Sequence, residues 1–239
     1  MLKLTNVVAG YGGGDVLKGV DLEIAQGSLT CIVGPNGAGK STVLRAISGL
    51  LKPRLGEITF QGRSIVGRSA PAILNMGIAQ IAQEHSLFPD MSVEENMELG
   101  GLLLRDKGKV QRRLAQIMEQ FPMVKERAKE QARNLSGGQQ RLIEIARSLM
   151  LAPQLVLIDE PSMSLDPITR GLVFKTIRQL HATGTTVLLI EQNVRAGLGI
   201  ATYGVVMESG RVRMKGPANQ VREDPEMSHL FFGGTLSGA

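Results

Sequence analysis

Tryptophan is absent from this 239-residue chain, aromatic residues make up only 3% of it, and there is a single cysteine, Cys31. With so few rings, and none interleaved with basic residues, stacking on nucleic-acid bases has no support. The net charge of +5 therefore reads as that of a soluble protein with a polyanionic substrate rather than a nucleic-acid binder. One cysteine cannot form an internal disulfide, and Cys31 lies inside the apolar run Leu29, Thr30, Cys31, Ile32, Val33, so it is expected in the core. Long apolar stretches are missing too. Runs such as Leu149 to Leu151 and Val187 to Ile190 stop at proline or charge, well short of the roughly 18 residues that span a bilayer. The start, Met1 to Val8, alternates Leu2 and Leu4 with Lys3 and Thr5 and has neither a basic lead nor a long apolar segment. No secretory signal is expected, and the location is expected to be cytoplasmic. No internal repeat is visible.

What the chain does have is a large apolar fraction, 43%, enough for one substantial core. Short β-rich runs recur at Leu2 to Val7, Leu29 to Val33, Glu57 to Phe60, Ile78 to Ile81, Leu155 to Ile158, Thr186 to Ile190 and Gly204 to Glu208. Several are continuously apolar, which suits strands covered on both faces by helices. The fold class is α/β. From Glu84 to Pro153 the pattern turns helical, with Val110, Leu114, Ile117, Met118 and Phe121 at helical spacing. This predicts an inserted helical segment whose charges (Lys109, Arg112, Arg113, and Lys125 to Arg133) form a solvated outer face. A short tail after Lys215 ends in His229, Leu230, Phe231, Phe232, Gly233, Gly234, and its aromatic pair is expected to pack on the body.

Three segments carry chemistry. Gly34, Pro35, Asn36, Gly37, Ala38, Gly39, Lys40, Ser41 fits G-x-x-x-x-G-K-[ST], after an apolar strand and before the helical run Thr42 to Ser48. Glycines let backbone N–H groups turn inward around phosphates, and the helix start adds its positive dipole end. Lys40 would reach the β- and γ-phosphates and the Ser41 hydroxyl would coordinate Mg²⁺. Leu155 to Ile158 then runs into Asp159 and Glu160 at a strand end, where α/β sheets bind ligands. Asp159 would hold Mg²⁺ through its water shell and Glu160 would polarise the attacking water. Without the phosphate loop the two would read as surface acids before Pro161. Finally, Leu135, Ser136, Gly137, Gly138, Gln139, Gln140, Arg141 opens a helix, with Ser136 as N-cap and two glycines exposing backbone donors. A plain helix start needs only the cap, so the pair of glycines suggests a second anion site.

The LSGGQ string resembles the signature of the ATP-binding cassette family, and the resemblance covers essentially the whole chain. It implies a P-loop NTPase (RecA-like) core with an antiparallel β edge and an inserted helical subdomain. The core would comprise residues 1–84 and 154–215, the helical subdomain 85–153 and the tail 216–239. It implies ATP and Mg²⁺ as ligands and a head-to-tail pair of cassettes, homo- or heterodimeric. Each nucleotide would be held between one phosphate loop, Thr42 included, and the other subunit's Ser136, Gly137, Gly138 and Gln139. Tyr11, otherwise a turn tyrosine, resembles the aromatic that stacks on adenine. Gln83 resembles the glutamine that joins Mg²⁺ to the helical subdomain and the membrane subunits. Ser164, Leu165, Asp166 resembles the loop that crosses the dimer interface; by itself Asp166 before Pro167 reads as a helix start. Two permease subunits and, through them, a substrate-binding protein follow as partners, with the chain peripheral on the inner face of the cell membrane and nucleic acid not expected.

The family usually places a histidine after the strand that follows that loop. Here Thr186 to Ile190 leads to Glu191, Gln192, Asn193, so Gln192 stands in the histidine's place. Its amide can donate a hydrogen bond but cannot titrate near neutrality. His85, His181 and His229 lie elsewhere and are expected at the surface. Glu191-Gln192-Asn193 and the His-Leu-Phe-Phe-Gly-Gly terminus resemble the LivF type of ATPase, from importers of branched-chain amino acids. The stretch Leu135 to Arg147, with Glu144, Ile145, Ala146, Arg147, is also similar to lipopolysaccharide-exporter ATPases. A soluble cassette acting on nucleic acid or ribosomes would usually carry two cassettes or a long coiled-coil insertion, and a small-molecule phosphotransferase has no reason to contain the second Gly-Gly segment.

Overall fold

The computed structural model describes residues 1–227, so the His229 to Gly234 motif lies outside the described residues. In chain order the elements are β1 (Leu2–Tyr11), β2 (Gly14–Ile24), β3 (Leu29–Val33), α1 (Lys40–Ile47), β4 (Leu55–Phe60), β5 (Arg63–Ser64), α2 (Ala70–Asn75), β6 (Ile78–Ile81) and α3 (Val93–Gly100). They continue with α4 (Lys107–Gln120), α5 (Pro122–Glu126), α6 (Gly137–Ser148), β7 (Leu155–Asp159), α7 (Pro167–Ala182), β8 (Thr186–Glu191), α8 (Val194–Ile200), β9 (Tyr203–Glu208), β10 (Arg211–Pro217) and α9 (Ala218–Glu223). Two compact units divide them: residues 1–70 with the segment from Thr186 onward, and residues 71–185.

In the first unit β3 lies between β8 and β9, parallel to both, and β10 pairs antiparallel with β9. Every residue of β3 and β8 is buried, which is why neither shows alternation. A separate antiparallel sheet has the order β2-β1-β4-β5. This is the antiparallel part that the family resemblance implied. β1 runs on to Tyr11, past the Val7 limit read from the sequence. A register shift between Leu4 and Val7, with Asn6 at φ 49°, breaks the alternation without ending the strand. β2 and β10 were not expected. In β2 the charges Asp15, Lys18, Asp21 and Glu23 and the bend at Gly19 dilute the apolar pattern, whereas β10 alternates half-buried and exposed positions and is rich in cations.

In the second unit β6 and β7 pair in parallel, Ile81 opposite Ile158. The segment between them is helical, with one isolated bridge, Ser92 to Gln131. α4 buries Leu114 and Ile117, while Pro122 starts α5, where its missing N–H costs nothing. The outer face of α4 is solvated at Lys109 and Arg112 but not at Arg113. The Arg113 guanidinium donates through Nε and Nη2 to the Leu149 carbonyl, at 3.0 and 2.8 Å. It is a tether between helices, and burial lowers its pKa from the ordinary value. Among the described residues no helix is long and apolar enough to cross a membrane.

Candidate functional site

The first unit builds the phosphate loop from the end of β3. Its first glycine is required by close approach: a Cβ on Gly34 would sit 2.3 Å from the Met207 carbonyl of β9. Gly39, at φ 96°, turns the chain into α1, and the helix start has no side-chain cap. Lys40 is 5% exposed, and its ammonium donates to the carbonyls of Gly34 (2.9 Å) and Pro35 (3.1 Å). The charge is thereby kept within the turn of the loop. A cation, a helix N-terminus and glycine backbone together favour a polyanion.

Two further candidates share this unit. Tyr11 ends β1 opposite Gly14, so it flanks a two-residue hairpin turn rather than lying in a turn itself. Its hydroxyl accepts from Arg45 Nη1 at 2.9 Å, and the Arg45 guanidinium lies 5.8 Å from the ring centre. Arg45 comes from α1, so Tyr11 is tied to the helix that the phosphate loop opens. Gln192 is exposed and follows Glu191, which pairs with Val33 immediately before Gly34. The parallel register thus brings Gln192 to the same sheet end as the loop.

The second unit gathers the acids. Asp159 closes β7 with 5% exposure; Glu160 follows with 8% exposure and a left-handed backbone at φ 43°, which is uncommon for a non-glycine residue. Gln83, two residues past the end of β6, donates through Nε2 to Glu160 Oε2 at 3.4 Å and to Met163 Sδ. Sequence reasoning named Gln83, Asp159 and Glu160 separately, and the pairing of β6 with β7 brings them to one sheet end. Among the described residues no cluster of three or more His, Cys, Asp or Glu could hold a metal alone. Within this unit the Asp159 carboxylate and the Gln83 amide oxygen are hard oxygen donors of the kind that suits Mg²⁺, which keeps much of its water and shares phosphate oxygens.

Ser136 caps α6 as expected, in a capping box in which its hydroxyl accepts from Gln139 N and the Gln139 side chain accepts from Ser136 N. Asp166 likewise caps α7, accepting from the Ile168 and Thr169 amides at 3.0 and 3.1 Å; the Thr169 side chain first, and then these amides, hold its carboxyl below the ordinary range. The two glycines of the signature differ. A Cβ on Gly137 would meet only His85 Nε2, at 3.6 Å, whereas one on Gly138 would lie 1.9 Å from Thr169 Cγ2. Packing against α7 therefore accounts for Gly138, so this helix start does need its second glycine even without an anion.

Sequence reasoning missed a buried cluster on α6. Arg141 and Glu144 form an ion pair at 2.9 Å with side-chain exposures of 6% and 1%. The signal was available, since an Arg and a Glu three residues apart interrupt the apolar face of Leu142, Ile143, Ile145 and Ala146. His85 is exposed, as expected, and its Nδ1 lies 3.5 Å from Glu144 Oε2 at the edge of this cluster. Burial also lowers the pKa of Arg147, with Glu144 acting in the opposite direction.

Residues 17–163 match the family model described as ABC transporter. The chain is 36% identical to the high-affinity branched-chain amino acid transport ATP-binding protein BraG of Pseudomonas aeruginosa, covering 98% of this chain and all of that one. It is 33% identical to a probable branched-chain amino acid transport ATP-binding protein, LivF, of Archaeoglobus fulgidus, over 98% and 99% of the two chains. Among solved structures, a nucleotide-free ATP-binding cassette from an ABC transporter superposes with a TM-score of 0.87 at 28% identity, covering 98% of this chain and 99% of that one. A phosphate loop and a capped LSGGQ helix on this fold, with likeness running end to end, have one reading: the chain belongs to the ABC transporter family and is one of its ATP-hydrolysing cassettes.

Proposed function

We propose that the chain powers a membrane importer of branched-chain or related amino acids by binding and hydrolysing ATP. The observation that carries this reading is the end-to-end likeness to BraG, joined to a phosphate loop whose lysine, glycines and helix start are all in place. Lys40 and the loop amides from Gly34 to Thr42 cradle the β- and γ-phosphates, and Tyr11 presents its ring to adenine. Tyr11 is 47% exposed, which leaves ring surface for stacking. Ser41, Gln83 and Asp159 offer the oxygen donors for Mg²⁺, which when bound neutralises charge on the phosphates.

Glu160 accepts the proton of the attacking water as it aligns with the γ-phosphorus, and Gln83, bonded to Glu160, orients that carboxylate. Gln192 donates its amide N–H to the departing phosphate. Ser136, Gly137, Gly138 and Gln139 complete the nucleotide site of a second cassette, head to tail, so that hydrolysis reopens the pair. The helical subdomain is residues 85–153, set into a core of 1–84 and 154–215 with a tail from 216. Two permease subunits dock on the segment from Gln83 to Asn96, at the inner face of the membrane. Within it Asn96 is fully buried and pins the loop through Phe88 N and O, leaving Phe88 half-exposed as apolar docking surface.

Reconstitution tests this reading. The chain, its co-purifying permease subunits and their binding protein are placed in vesicles, and ATPase activity is followed as amino acids are added. Stimulation by leucine, isoleucine or valine is expected. Stimulation by lipopolysaccharide instead would favour the exporter reading suggested by Leu135 to Arg147, and would overturn import.

A further inference from the structure

The Arg141 fork spans two backbone carbonyls and a carboxylate. Nη1 donates to the Ala82 carbonyl (2.8 Å) and faces Glu144 Oε2 (2.9 Å), while Nη2 donates to the Gln83 carbonyl (2.5 Å). The other oxygen of Glu144 accepts from Ser86 N (2.5 Å) and lies 3.3 Å from Ser86 Oγ, which in turn accepts from Arg147 Nη2 (2.6 Å). One face of α6 thus grips the strandless segment 82–86 at both ends. That segment has no ladder of its own, so its polar groups need such partners. A buried ion pair is a costly way to fill space, since apolar residues of equal volume usually stabilise as well or better. What the pair supplies instead is a fixed distance from the Ser136 cap to the backbone that carries Gln83.

We propose that Arg141 and Glu144 are positioning residues that lock Gln83 to the signature helix, so that the Gln83 amide reaches Glu160 only when α6 is in register. The inference rests on the reading of Gln83 given above. The Gln83 to Glu160 contact, at 3.4 Å, is at the long limit of a hydrogen bond, so a small displacement of α6 makes or breaks it. The lock couples an event at the Ser136 end of α6 to the orientation of Glu160. Lysine at 141 would keep the charge facing Glu144 but present a point donor in place of the fork that bonds both carbonyls at once.

The test uses the purified full chain with Arg141→Lys, Glu144→Gln, Gln83→Ala and the double variant Arg141→Lys/Gln83→Ala. Three quantities are read: kcat and KM for ATP, and hydrogen–deuterium exchange of the Ser86 amide. Arg141→Lys is expected to lower kcat about tenfold or more, as misplacements near 1 Å do, and to leave KM within about twofold, because the phosphate loop is untouched. Ser86 exchange should accelerate. In the Gln83→Ala background the kcat loss from Arg141→Lys should vanish, because there is no longer a side chain to position. Persistence of the full loss in that background would make the cluster merely structural and overturn the proposal, as would wild-type kcat and exchange in the single variant. If Arg141→Lys does not fold, Glu144→Gln, which keeps the acceptor for Ser86 but removes the charge facing Arg141, carries the same comparison. Wild-type kcat in Gln83→Ala would sink the reading of Gln83 itself, whereas impaired Gln83→Ala with normal Arg141→Lys sinks only the lock.

Discussion

Gly138 of the signature and Thr169 of α7 are packed so closely that a methyl group on the glycine would overlap Thr169 Cγ2, at 1.9 Å. Thr169 is itself held by the Asp166 cap, so it has little room to yield. Gly138→Ala is expected to cost about 1–3 kcal/mol of stability by overpacking. Thr169→Ser deletes the offending methyl and keeps the hydroxyl, so the double variant should regain most of that loss. Thermal denaturation of the four-member cycle measures it, and an additive result would remove the packing explanation for this glycine.

Glu160 is the candidate base, at 8% exposure, and Gln83 reaches its carboxylate. Glu160→Gln is nearly isosteric, so nucleotide binding should persist while turnover falls by about 10²-fold or more, the usual weight of a general base. An ATP-bound dimer should then accumulate on size exclusion. Wild-type turnover in this variant would refute the assignment.

Lys40→Ala removes the ammonium that bridges the Gly34 and Pro35 carbonyls as well as the charge offered to phosphate. A hydrogen bond to a charged group is worth about 1.5–3 kcal/mol, so ATP affinity should fall roughly 10- to 100-fold. Nucleotide titration by fluorescence or calorimetry checks this, and unchanged affinity would contradict the phosphate role.

Cys31 is fully buried, and burial first, then the nearby Glu191 carboxylate, pushes its thiol well above the ordinary range. A raised pKa means fewer thiolates in the folded state than in the unfolded state at any pH near or above the unfolded value. Alkylation by iodoacetamide at pH 8 should therefore be at least tenfold slower in the native protein than in denaturant. For stability the sign is that the folded thiol holds its proton longer, so stability contributed below the unfolded pKa declines as pH rises through the folded one. Comparable native and denatured labelling rates would show that the strand opens readily.

Much of the candidate site was legible because its chemistry is local in sequence. The phosphate loop, the Asp159-Glu160 step and the Ser136 cap each occupy a few consecutive residues, and strand and helix flanks follow from apolar runs such as Leu29–Val33. What escaped depends on contacts distant in sequence. Arg141 grips Ala82, 59 residues away, and Arg113 grips Leu149, 36 away; in the sequence Arg113 is simply a charge on a helix, and Arg141, although it interrupts an apolar face, shows nothing of the backbone it holds. β2 escaped because a bend at Gly19 and alternating charges hide the period of two, and β10 because its exposed face is cationic.

The exposed Gln192 lies past the β8 residue that pairs with Val33, at the sheet end from which the phosphate loop leaves. An amide there can donate to a phosphate oxygen at every pH, so this residue contributes no inflection to the rate between pH 6 and 8. Gln192→His would install a ring of similar reach with an ordinary pKa of about 6.5. Both nitrogens donate below that value and only one above it, so the variant should keep ATPase activity within about tenfold of the parent and gain a titration near pH 6.5, faster on the acidic side where the added positive charge faces phosphate. A pH–rate profile of the two proteins decides it. Complete loss of activity at every pH would show that the site is built around the amide itself, and identical profiles would place Gln192 away from the reacting phosphate.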